Sequence, residues 1–143
     1  MALFPSPEKV ISRQLEKLAQ AVSVRAGEGY LPRMIGAQTV AGFFSTNVEI
    51  KIDLPNRREQ TTLTHDDIVQ TVLAMHVTGG LTVRCLDIAV AVGADKETAQ
   101  ADATVEGRVP GEEDLMVQEM KFTLRKIGGK WLITRVQTVR TFS

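Results

Sequence analysis

The chain has 143 residues, 43% of them apolar and 24% charged, an amount of apolar sequence that suits one soluble domain able to bury a core unaided. Seventeen basic residues against seventeen acidic ones leave a formal charge of zero, which speaks against a nucleic-acid protein and against attraction to an anionic membrane. One cysteine, Cys85, and two histidines, His65 and His76, exclude an internal disulfide, a thiolate cluster and a histidine-rich zinc site. No cofactor-binding pattern stands out. The N-terminal stretch through Pro7 lacks the basic and long apolar parts of a signal peptide, so the expected location is the cytoplasm, or outside the cell if a leader has been removed.

Ser6-Pro7-Glu8 reads as a helix start, with a cap, a first-turn proline and an acid at the positive dipole end. Ile11, Leu15, Leu18 and Val22 then form one apolar stripe at helical spacing, and Gly27 and Gly29 mark its end. Pro32 predicts a second helix carrying Met34, Ala37, Ala41 and Phe44 on one face. From Asn47 to Asp53 apolar and polar residues alternate, with Val48, Ile50 and Ile52 on one side, which predicts a half-buried strand broken by Pro55-Asn56-Arg57-Arg58. Thr64 and Asp67 resemble a capping box, and the helix after it carries Ile68, Val69, Val72, Leu73 and Met75 up to Gly79-Gly80.

Beyond Gly80 the period is two. Four strands are expected, over Leu81–Val92, Thr98–Val109, Leu115–Lys126 and Trp131–Phe142, the last pair joined by a Gly128-Gly129 hairpin. Glu112-Glu113-Asp114 reads as a solvated loop. Helices segregated from a run of antiparallel strands predict an α+β fold with about three helices from the N-terminal half on one face of an antiparallel sheet.

This order is similar to that of the nuclear transport factor 2-like superfamily, the cystatin-like α+β cone of a curved sheet wrapped around helices, shared by polyketide cyclases and ketosteroid isomerases. Three stretches carry the likeness: Phe43-Phe44-Ser45-Thr46-Asn47-Val48, Thr64-His65-Asp66-Asp67-Ile68, and the hairpin from Phe122 to Ile133 with its Gly128-Gly129 turn before Trp131. The resemblance implies one domain over residues 1–143 and a site inside the cone. It sets Ile52 where the steroid isomerases carry their catalytic aspartate, and Met120 or Phe122 where they carry a neutral acid that donates to the oxyanion. Both positions are apolar here, which argues against that chemistry. Asp53 takes the first position only if a bulge shifts the register by one.

Strand parity turns Ile50, Ile52, Met120, Phe122 and Leu124 inward, and Arg84 with them, sharing parity with Leu86 and Ile88. Arg84 is thus a candidate anchor for a carboxylate or phosphate at the pocket mouth. His76, in the last turn of the third helix, and Asp53 are the candidate general bases. The family pattern turns Thr134 and Thr138 inward as hydroxyl donors to a ligand. Cys85, of opposite parity to Arg84, is expected on the outer face beside Ala89, as are Trp131 and Ile133, which together suggest a homodimer through that face. The reading is a domain that binds a small apolar or weakly acidic organic molecule, with Arg84, Ile52, Met120, Phe122, Thr134 and Thr138 around it. Two others stay open: a small-substrate enzyme of the isomerase, dehydratase or cyclase type, and a pure assembly domain with a filled cone.

Overall fold

The computed structural model describes residues 6–25, 27–74, 80–111 and 115–139. The elements run α1 (Pro7–Val22), α2 (Tyr30–Ala41), β1 (Phe44–Leu54), β2 (Arg57–Thr64), α3 (His65–Ala74), β3 (Thr82–Val92), β4 (Thr98–Arg108), β5 (Met116–Ile127) and β6 (Lys130–Thr138). All six strands form one open, curved sheet in the order β2-β1-β6-β5-β4-β3. Every neighbouring pair is antiparallel except β1 and β6, which run parallel, so the sheet is mixed.

The helix signals act as their chemistry requires. The Ser6 side chain accepts from the Lys9 amide at the start of α1. At the start of α3, the Thr64 amide donates to Asp67 at 2.9 Å and the Asp67 amide donates to the Thr64 hydroxyl at 3.2 Å, a reciprocal capping box. The Thr64 amide, and after it the Thr64 hydroxyl, bonds to the Asp67 carboxyl and holds it below its ordinary pKa. Gly128 and Gly129 have φ of +59° and +81°, which only a primed two-residue turn demands and which glycine adopts without strain.

Pro55-Asn56 is the turn that ends β1, but Arg57 and Arg58, read as part of the same break, open a second hairpin strand. Residues Arg57–Thr64 pair with β1 in continuous register, from Leu54 opposite Arg57 to Asn47 opposite Thr64. Its charged and hydroxylated sequence hides it, because β2 is an edge strand with only Leu63 packed against the core. Such an edge has little apolar alternation to display, and its polarity discourages pairing with other chains.

The core lies between α1 and the concave side of the sheet. Ile11, Leu15 and Leu18 share one core with Leu124, Phe122, Trp131, Ile133, Val136 and the small residues Ala99, Ala101 and Ala103 of β4, and α1 comes closest to β3. Phe122 stands opposite Ala101 on one side and Val136 on the other, and Leu124 stands opposite Ala99, so large residues alternate with small ones across the strands.

Candidate binding site

Two bulges decide which side chains face the helices. In β3, Leu86 pairs with Thr104 but Ala89 pairs with Asp102, so two residues of β3 oppose one of β4. Asp87 sits in this bulge at φ +52°, a left-handed conformation that a short polar side chain tolerates. Ile88, Val90 and Val92 pack inward beyond the bulge, whereas before it the inward residue is Cys85. Arg84 is therefore exposed on the outer face, opposite Glu106, and does not share a face with Ile88. The expectation that Arg84 enters the cone fails for that reason. Cys85 is corrected with it: the thiol is half-buried against the core, and burial pushes its pKa up, with the charge of Glu16 on α1 adding to the effect.

The second bulge lies in β6, where Leu124 pairs with Ile133 but Thr123 pairs with Arg135. Thr134 is the extra residue, and its hydroxyl donates to the Thr123 carbonyl at 3.2 Å, within the sheet. Trp131 and Ile133, 5% and 2% exposed, are core residues, and Gln14 of α1 reaches the Trp131 carbonyl. They therefore contribute nothing to the dimer surface expected from them on the outer face. That face instead carries Lys121, Arg125, Gln137 and the Glu49–Arg135 ion pair at 3.7 Å.

On β1 the register with β2 is unbroken from Asn47 to Leu54, so Val48, Ile50 and Ile52 face inward and Asp53 faces outward beside Arg58, 3.4 Å from its guanidinium. The register shift between β1 and β6 falls earlier, between Phe44 and Glu49, too early to turn Asp53 inward. As a base inside the cone, Asp53 is excluded by this parity. His65 is exposed and its ring nitrogen meets the Phe44 carbonyl at 2.8 Å. His76 lies outside the described residues, as do Met75, Gly79, Glu112-Glu113-Asp114 and Phe142.

What remains inward is graded. Leu124 and Phe122 are 1% and 5% exposed beneath α1, but Met120, the next inward residue of β5, is only half-buried. Thr138 lies opposite Met120 on the same face, and its hydroxyl accepts from the Asp53 amide at 2.8 Å. Ile50 and Ile52 on β1, Leu63 on β2, and Val69 and Val72 on α3 are likewise half-buried. Farther out the inner face turns polar: Glu59 stands opposite Ile52, and Arg57 bonds Glu59 at 2.7 Å. A separate cleft of about 350 Å³ at the β1–β2 end is lined mostly by outward residues, Lys51, Asp53, Arg58 and Gln60. The inner surface thus runs from a packed base through a partly covered apolar band to an ion pair.

No protein-family model matches the chain, and no curated protein matches it in sequence. Solved structures do match it in shape. A nuclear transport factor 2-like protein of unknown function from Pseudomonas putida KT2440 is 15% identical and has a TM-score of 0.70, covering 95% of this chain and 87% of its own. The chain has the nuclear transport factor 2-like fold. Two structures from Novosphingobium aromaticivorans share it: an aromatic ring hydroxylase candidate (16% identity, 95% of this chain and 90% of that one, TM-score 0.70) and a scytalone dehydratase candidate (16%, 94% and 83%, TM-score 0.63). At these identities the likeness is one of fold, and such folds carry many chemistries. Among the described residues no helix is long and apolar enough to cross a membrane.

Proposed function

We propose that this domain binds a small, largely apolar organic molecule against the inner face of the sheet, over the band formed by Met120, Ile50 and Ile52. The observation that carries the reading is the change from Phe122 to Met120: two residues apart on one face, the first is sealed by the core and the second is left half-buried. An apolar strip that the described residues cover only in part is stabilised by a ligand that covers the rest. Phe122 forms its floor and Thr138 its polar flank. The Thr138 hydroxyl, which accepts from the Asp53 amide, keeps its own proton for a ligand acceptor. Thr134 contributes through the strand geometry, by holding the bulge that returns Val136 to the inner face. Fold relatives named as candidate dehydratases and hydroxylases act on small organic molecules by their names, which supports the ligand class and no particular reaction. The proposal itself calls on no second copy.

Native mass spectrometry of the freshly purified chain tests this. A small organic mass that is released by denaturing solvent is expected. Added back at tenfold above its dissociation constant, that molecule stabilises by about 1.4 kcal/mol and raises the melting temperature by about 4–6 °C. No adduct, and no shift across a panel of neutral aromatic and alicyclic compounds, would overturn the reading and leave an assembly domain with a filled cone.

A further inference from the structure

The outer face holds a separate feature at the sheet edge. β3 is an edge strand, and its start pairs Thr82 with Arg108 and Arg84 with Glu106. Directly opposed residues project on the same side, and diagonal ones lie within reach of long side chains. Arg84, Arg108 and Glu106 therefore stand together, and with Thr82 and Leu115 they line a cleft of about 280 Å³. The three ion pairs among the described residues all lie on β1, β2 and β6, so neither guanidinium has a carboxylate within 4.0 Å there. Neither makes a side-chain hydrogen bond among those residues either.

We propose that Arg84 and Arg108 form a carboxylate-binding site on the outside of the sheet, for a monoanionic organic acid with a compact apolar body. A guanidinium presents its donors as a planar fork that matches a carboxylate, and two of them can share its oxygens. Glu106, half-buried between them, sets the charge. Two positive groups and one negative group leave one net positive charge, which a monoanion matches. A phosphate dianion would add a second negative charge beside Glu106 and bind less well. Leu115, 37% exposed, offers apolar contact to the acid's body.

Benzoate is the probe, with phenyl phosphate as the dianion and benzamide as the neutral control, followed by amide chemical shifts on the full chain at low salt. Benzoate is expected to move Thr82, Arg84, Glu106 and Arg108 and to bind more tightly than either comparator. Arg84→Gln and Arg108→Gln should each weaken benzoate by about tenfold, the loss of one charged hydrogen-bonding group. Both side chains project from the outer face, so the variants keep the native spectrum elsewhere. Glu106→Gln should reverse the preference in favour of phenyl phosphate. Benzoate that binds equally well to both arginine variants, or shifts only inner-face residues, would overturn the proposal. So would binding that emerges only after Glu112, Glu113 and Asp114 are neutralised together, because those carboxylates would then be the arginines' own partners.

Discussion

Truncating two neighbouring inward side chains of β5 should give very different costs. Phe122 is 5% exposed and wedged between Ala101, which is fully buried, and Val136. Phe122→Ala leaves a cavity that these neighbours cannot fill, because Ala101 has no side chain to extend and Val136 is tied to its strand. The expected loss is about 3–5 kcal/mol, the range for a large aromatic removed from a rigid core. With a urea m-value of about 2 kcal/mol per molar, the unfolding midpoint falls by roughly 1.5–2.5 M. Met120→Ala removes a side chain that is only partly buried, so a smaller loss of about 1 kcal/mol is expected. Urea titration followed by the fluorescence of the single tryptophan, Trp131, reads both variants. A Phe122→Ala loss below about 1 kcal/mol would mean the ring stands in open space. Equal losses at the two positions would erase the boundary between packed base and uncovered band, and the site with it.

Further expectations follow from individual groups. Trp131, set in the core beside Ile133 and Leu124, should emit at short wavelength and resist quenching by acrylamide until urea unfolds the chain; strong native quenching would return it to the outer face. Asp67 has its pKa lowered from 3.8 by its bonds with Thr64, so its contribution is present above the unfolded pKa and is lost as pH falls through the folded one. Asp67→Ala should therefore lower the melting temperature near neutral pH, and that difference should shrink as pH drops below 3.8; a pH-independent difference would refute the capping role. Cys85, with its pKa raised chiefly by burial, should react with a thiol reagent more slowly in the native chain than in urea at the same pH. Equal rates would contradict its inward placement.

The first and third helices were legible in the sequence because each carried its own chemistry: a cap at Ser6 with an apolar stripe through Ile11, Leu15 and Leu18, and a reciprocal box at Thr64 and Asp67. The Gly128-Gly129 turn was legible too, since only a turn with positive φ at both positions calls for that pair. The inward face of β5 followed from simple alternation. Three features did not. β2 is polar because it is an edge. Arg84 and Trp131 were assigned to the wrong faces because parity was carried straight through β3 and β6, and each strand contains a bulge. A bulge adds one residue and reverses every side chain beyond it, yet a single Asp87 or Thr134 within an alternating run does not mark one in sequence. The parallel pairing of β1 with β6 is likewise a long-range choice with no local mark.

The central claim is that an apolar band beyond Phe122 takes up a small molecule. Its most direct test is a methyl NMR titration of the full chain, labelled at isoleucine, leucine, valine and methionine, with a neutral bicyclic aromatic such as 2-naphthol. Saturable shifts at Ile50, Ile52, Met120 and Val72, with Leu15 and Ile133 unmoved, are the predicted result. No saturable shift up to the solubility limit, or shifts confined to methyls outside that band, would contradict the account.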